Sequence, residues 1–281
     1  MPITHSPLRY PGGKSKLRSN VEYLLKINNM EASTYVEPFA GGSAVALYLL
    51  FSQKVNRIII NDYDISIYAF WYSVLNFSEE LCCLIKNTEI TMDEWYRQKS
   101  IQDNKSESKS MLELGFSTFF LNRTNRSGII KAGVMGGKAQ LGKYKMDCRY
   151  NKEDLLNKIA KINSYRDRIQ LYNLDTIDLI RGVINNLDDN TLIFFDPPYY
   201  EKGQSLYVNF YKHDDHEELA NEISNIGDKK WIVSYDNVEE INNMYAQFHK
   251  IEYNLNYTVQ NKYIGKEVMF FSDNIIPLEN I

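Results

Sequence analysis

VEPFAGGSAVAL, residues 36–47, decides how the rest of this chain is read. Apolar residues run into an acid, Glu37; the pair Gly41-Gly42 follows; Ser43 then opens an alanine- and leucine-rich run to Phe51. Strand, glycine turn and helix form the repeating unit of parallel α/β sheets. At that turn a ligand can lie against backbone N–H groups and a helix N-terminus. The spacing is not G-x-G-x-x-G, because Ser43-Ala44-Val45-Ala46 follow Gly42. Asp62 closes the next apolar run, where an acid suits a ribose diol. Glu37 beside the turn suits a ligand with a cationic amino-acid end better than a pyrophosphate.

Outward from this unit the rhythm repeats. Thr34–Phe39, Arg57–Asp62, Ile169–Leu174, Thr191–Phe195 and Lys230–Val233 read as buried strands. Ser43–Phe51, Lys152–Tyr165, His216–Ser224 and Val238–Tyr245 read as helices, and His213-Asp214-Asp215-His216 reads as a helix start rather than a metal site. Phe248–Val259 and Glu267–Ser272 read as an antiparallel pair. These signals predict an α/β, Rossmann-like sheet, mostly parallel, with an antiparallel C-terminal pair. About a hundred residues between the second and third strands are too many for a connection. They predict an inserted, mainly helical domain at 67–168, with helices at Glu79–Lys86 and Ser110–Leu121 and an exposed loop at Gln102–Lys109. The sheet domain is then 1–66 with 169–281.

Net charge is −4, which by itself argues against a polyanionic partner. Its distribution argues the other way. Between Asn122 and Lys152 stand eight basic residues and one acid, Asp147, a local net of +7. Such asymmetry is either a solvated loop face or the footprint of a nucleic acid. Three cysteines without metal-ligand spacing and four scattered histidines suggest no metal. They fit a reducing, cytoplasmic setting. Neither a signal-peptide run nor a membrane-length apolar run is expected to operate here.

LIFFDPPYY, residues 192–200, carries the chemistry. Four apolar residues deliver Asp196 to the carboxyl end of a buried strand, where open α/β sheets bind ligands. Pro197 and Pro198 each fix their own φ and lack an N–H, so the carbonyls here are held rigidly. An acid, a rigid carbonyl and the aromatic Tyr199 in sequence form a clamp for a planar amine. PLRYPGGKSKL, residues 7–17, ends like a phosphate loop but has Leu8 where the first glycine of G-x-x-x-x-G-K-[ST] belongs. Lys14 therefore suits a carboxylate-rich pocket edge or an incoming base better than a triphosphate.

These motifs together resemble the Dam-type adenine-N6 DNA methyltransferases (D12 class, alpha group). Asp196-Pro197-Pro198-Tyr199 is similar to their D-P-P-Y motif, EPFAGGSA to their S-adenosylmethionine motif, RYPGGKSKL to their N-terminal motif, and LNRTNRSG (121–128) to the entry of their recognition domain. The resemblance covers nearly the whole chain and the motifs stand in the family's order. It implies S-adenosylmethionine as cofactor and double-stranded DNA as partner, acted on by a monomer without metal or membrane. Tyr10, Lys14, Glu37, Gly41, Gly42, Asp62 and Asp196 would line the cofactor pocket. Asp175 would either border its adenine or cap a helix.

Asp196, the Pro197 carbonyl and Tyr199 would act on a flipped adenine, whose amine is a weak nucleophile until its N–H groups are held. Of the insert, Lys138, Lys143 and Lys145 would contact phosphates, while Asn122, Arg123, Asn125 and Arg126 would be placed to read bases. The segment SGIIKAGVMGGKAQLGKYKMDCRY departs from the pattern of members that read GATC. An RNA adenine methyltransferase and a non-catalytic DNA-binding module on the same fold are the alternative readings.

Overall fold

The computed structural model describes residues 4–10, 14–107, 110–201, 211–258 and 262–281, with side chains outside 255–264. Its contacts divide the chain into a helical unit, residues 1–13 with 64–167, and a sheet unit, residues 14–63 with 168–281.

The sheet unit is built on β1 (Ser33–Glu37), β2 (Val55–Asn61), β3 (Ile169–Tyr172), β4 (Thr191–Phe195), β5 (Lys230–Asp236), β6 (His249–Thr258) and β7 (Lys262–Phe271). Their spatial order is β3-β2-β1-β4-β5-β7-β6. The first five pair in parallel, and β7 runs antiparallel to both β5 and β6. This is the Rossmann-like α/β sheet with an antiparallel C-terminal pair. Every residue of β1 and β4 is buried, which is why β4 reads as a near-continuous apolar run rather than an alternating one.

Helices Ala44–Phe51, Thr176–Gly182, His213–Ser224 and Glu239–Met244 follow β1, β3, β4 and β5. Leu179, Leu219, Ile223 and Ile241 from three of them pack with Val36, Ile59, Ile193 and Phe195 of the sheet in one buried cluster. The strand order reverses between β1 and β4. The crevice for a ligand therefore opens at their carboxyl ends.

The helical unit holds Ile65–Asn76, Ser78–Asn87, Met92–Asp103, Met111–Thr124 and Lys152–Asn163. Phe70, Trp71, Trp95, Phe116, Phe119, Phe120 and Tyr150 form its buried aromatic interior. The expected boundary at 66/67 falls inside Ile65–Asn76, whose N-cap is Asp64 accepting from Ser66 N. Of the expected loop Gln102–Lys109, Gln102 and Asp103 end a helix and Lys105–Glu107 form a 3-10 turn; Ser108 and Lys109 lie outside the described residues, as does Val259.

The first residues join the helical unit for a specific reason. Asn122 accepts from Arg9 N at 2.8 Å and donates to Arg9 O and Gly128 O, both at 2.8 Å. A Cβ at Gly128 (φ +78) would stand 2.3 Å from Arg9 O, so only glycine permits that approach. Among the described residues no helix is long and apolar enough to cross a membrane.

Candidate active site

The sheet delivers its acids to one edge. Glu37 ends β1, Asp62 follows β2, and Asp196 follows β4. Beside Asp196 lies Lys14, 5% exposed, immediately before the 3-10 turn Ser15–Leu17. Its ammonium stands 3.2 Å from Asp196 Oδ1 and 3.1 Å from Glu267 Oε2, and donates to Tyr199 Oη at 2.9 Å. Two carboxylates and a hydroxyl thus gather round one ammonium. Nζ is also 4.9 Å from the centre of the Tyr199 ring. Taken with the 2.9 Å hydroxyl contact, that distance puts it beside the hydroxyl rather than above the ring. The contact is therefore a hydrogen bond and not a cation–π stack.

Asp196 is surrounded by protein, yet 27% of its side chain remains open. Burial raises its carboxyl from the ordinary aspartate range to about 6; Lys14 opposes the rise and Glu267 adds to it. Burial wins because a desolvated carboxylate loses more than one nearby cation returns. The two prolines after Asp196 are buried, and Tyr199 is 3% exposed. Asp236, at the end of β5, steadies the two residues beyond Tyr199: its carboxylate accepts from Tyr200 N at 2.9 Å and Glu201 N at 3.1 Å.

The glycine turn is equally fixed. Gly41 adopts φ +45, a left-handed conformation that glycine adopts at least cost. Its N–H donates to Asp62 Oδ2 at 2.8 Å. Glu37 Oε1 accepts from Ala46 N at 2.9 Å, in the first turn of the following helix, and from Tyr35 Oη at 3.3 Å. No salt bridge to Glu37 is found among the described residues. Burial pushes its carboxyl up to about 8 despite these bonds, so it is mostly protonated at pH 7. Asn61, fully buried, ties the edge together by donating to Pro38 O and Leu174 O and accepting from Leu174 N. Asp175 accepts from Ile177 N at 2.9 Å and so caps the helix Thr176–Gly182.

A family model for D12 class N6 adenine-specific DNA methyltransferases matches residues 10–259. The chain belongs to this family. The D12 methyltransferase is 25% identical over 225 residues to the type II methyltransferase M.MjaIII of Methanocaldococcus jannaschii, covering 74% of this chain and 73% of that one. It is 24% identical over 218 residues to the type II methyltransferase M.CviBI of Paramecium bursaria Chlorella virus NC1A, covering 76% of each. Among solved structures, the rRNA methyltransferase AviRa of Streptomyces viridochromogenes aligns with 10% identity and a TM-score of 0.41, over 95% of this chain and 88% of that one.

In this D12 methyltransferase the sequence-predicted residues fall into three groups. Lys14 contacts both Asp196 and Tyr199, and Glu37, Gly41 and Asp62 line the same edge of the sheet unit. Gly42 is buried beside Gly41, while Gly12 and Gly13 of the N-terminal motif lie outside the described residues. Tyr10 is half-buried and belongs to the helical unit.

The insert residues divide by burial. Arg126, Lys138, Lys143 and Lys145 are exposed. Asn122 and Asn125 are each 1% exposed and spent internally: Asn125 accepts from Trp95 Nε1 at 2.7 Å and donates to Ile129 O and Ile130 O. Their amides organise the loop after Thr124, and no amide atom is presented at the surface for a base. Arg123 is 9% exposed, and burial lowers its guanidinium to about 10. Sequence reasoning missed Asp236, Asn61 and Glu267. None lies in a motif, and only the sheet register brings them to this edge.

Proposed function

We propose that this D12 methyltransferase transfers the methyl group of S-adenosylmethionine to N6 of an adenine turned out of double-stranded DNA. The observation that carries the proposal is Asp196. Its carboxylate stands at the carboxyl end of β4, before two prolines and in ion-pair contact with Lys14, with part of its side chain open. Such a group can accept an amine N–H, and the Pro197 carbonyl beside it can accept the second. Holding both N–H groups lets the nitrogen pyramidalise and turns its lone pair outward. Acceptors placed where positive charge develops stabilise the transition state. The amine's surplus proton leaves to Asp196 or to water. Tyr199 supplies the aromatic wall next to the clamp.

The residues at the glycine turn fit the cofactor's chemistry. S-adenosylmethionine supplies a methyl group already activated on a sulfonium, so the protein's task is mainly to position the reactants. Glu37 is a buried carboxyl pushed toward neutrality, as expected of a group that waits for a cationic ligand. Asp62 suits the ribose hydroxyls, and its bond to Gly41 N holds the turn open for them. Asp175 borders the adenine in this reading while capping its own helix.

An adenine inside a duplex is out of reach, so the base must leave the stack. The exposed cations Lys138, Lys143 and Lys145 suit the phosphates, and Arg126 is the base-reading candidate that remains at the surface. The enzyme is taken to act as a monomer. Asp196→Ala tests the assignment: methyl transfer is lost while the fold and duplex binding are retained. Loss of duplex binding instead would place Asp196 in the recognition surface and contradict the reading.

A further inference from the structure

We infer that Glu267, on the antiparallel strand β7, is a positioning residue for methyl transfer that acts on Asp196 through the Lys14 ammonium. The inference rests on the proposed function. Glu267 is 2% exposed, and burying a second carboxylate beside Asp196 is costly. Lys14 does not require it for neutrality, since Asp196 already supplies one negative charge and Tyr199 a further acceptor. Its use lies in an exchange. When Asp196 gives up Lys14 to accept an amine N–H, Glu267 and Tyr199 still hold the ammonium. No buried cation is left unpaired, which would otherwise oppose the exchange.

The register supports the same role. Glu267 pairs across the sheet with Asp236, whose carboxylate fixes the backbone at Tyr200 and Glu201. Neighbouring strands therefore steady the D-P-P-Y segment from two sides.

Charge gives the role a readout. Lys14 eases ionisation of Asp196 and Glu267 opposes it. Among the described residues, the other titratable groups facing the cluster include Tyr35 and Glu37 on β1, Tyr235 on β5, Tyr253 on β6 and Tyr199. Burial raises Tyr35, Tyr235 and Tyr253 further above neutrality. Glu37, coupled to Asp196, titrates at the other end of the range, near 8.

The test is the pH dependence of kcat between pH 5 and 9, with methyl-labelled S-adenosylmethionine and duplex DNA, for the wild type, Glu267→Gln, Lys14→Gln and the double variant. Glu267→Gln keeps the shape and an acceptor for Lys14 but removes the charge. Its kcat is expected to fall about tenfold, the size of effect seen when an outer partner that orients a reacting group is removed. Its KM values should stay within about twofold, as when an interaction made only in the transition state is removed. Its acid limb moves to lower pH, while that of Lys14→Gln moves to higher pH. The double variant loses no more than Lys14→Gln alone, because one residue acts through the other.

A Glu267→Gln profile that superimposes on the wild type overturns the inference, as do losses that multiply in the double variant. Should Glu267→Gln not fold, Glu267→Asp carries the test: the acid limb stays, kcat falls, and an unchanged kcat overturns the inference. A wild type that transfers no methyl group refutes the proposed function instead, so the two failures are distinguishable.

Discussion

Lys14 Nζ lies 3.2 Å from Asp196 Oδ1, so the lysine of the N-terminal motif and the acid of the D-P-P-Y motif form one ion pair. The lysine lowers the carboxyl's affinity for protons, and burial raises it to about 6. Lys14→Met removes the lowering influence and also takes the ammonium from Glu267 and Tyr199. The acid limb of methyl transfer then moves upward, and each unit of displacement costs about tenfold in activity below it. A rate–pH profile checks this; an acid limb at the wild-type position would dissociate Lys14 from Asp196 ionisation.

Glu37 makes a stability prediction. Its folded carboxyl titrates near 8 against an ordinary value of 4.5. A carboxyl raised by folding contributes stability that is fully present below its unfolded value and is lost as pH rises through the folded one. Glu37→Gln is neutral at every pH and keeps an acceptor for Ala46 N. Its melting temperature should therefore gain on that of the wild type from pH 4.5 to about 8, by a few degrees, and level off above. Thermal melts across that range measure it.

The same acid predicts a proton released on cofactor binding. Near pH 7 Glu37 is mostly protonated, and a cationic ligand beside it favours the ionised form. Calorimetry in buffers of different ionisation enthalpy should find up to about one proton released, with affinity rising toward pH 8. Glu37→Gln should release none from this site.

Asn125 separates structure from recognition. Its amide satisfies Trp95 Nε1 and two carbonyls inside the helical unit. Asn125→Ala leaves these groups without their partner, at about 1–3 kcal/mol for each that stays unsatisfied. The expected result is a lower melting temperature without any DNA present. An unchanged melting temperature with a selective loss of duplex affinity would return Asn125 to base reading.

The exposed lysines predict a salt effect. Changing Lys138, Lys143 and Lys145 together to Ala should weaken duplex binding and flatten the slope of log K against log salt by about three, near 0.9 for each phosphate no longer neutralised. Fluorescence anisotropy from about 50 to 200 mM salt reads this out.

Much of this was legible in the sequence because buried parallel strands and glycine turns leave local signals. Leu192–Phe195 points to Asp196, and Gly41-Gly42 points to the turn between β1 and its helix, without any knowledge of distant contacts. The helix Ile65–Asn76 was less legible. Eight of its twelve residues are buried, so its apolar positions show little helical period. Glu267 was illegible because, within KEVMFF, an acid in a strand reads as an ordinary solvent-facing residue. Only pairing of β7 with β5 and the reach of Lys14 give it a purpose. Asn122 misled for a related reason. Its partner Arg9 is over a hundred residues away, and nothing in LNRTNRSG announces that bond.

The central claim is tested most directly by the product. Purified protein, methyl-labelled S-adenosylmethionine and unmodified duplex DNA are incubated, the DNA is digested to nucleosides, and the labelled species are separated by mass. N6-methyladenine is the expected labelled nucleoside from wild-type protein, with none from Asp196→Ala. Label on cytosine, or no N6-methyladenine from any unmodified duplex, would contradict the claim.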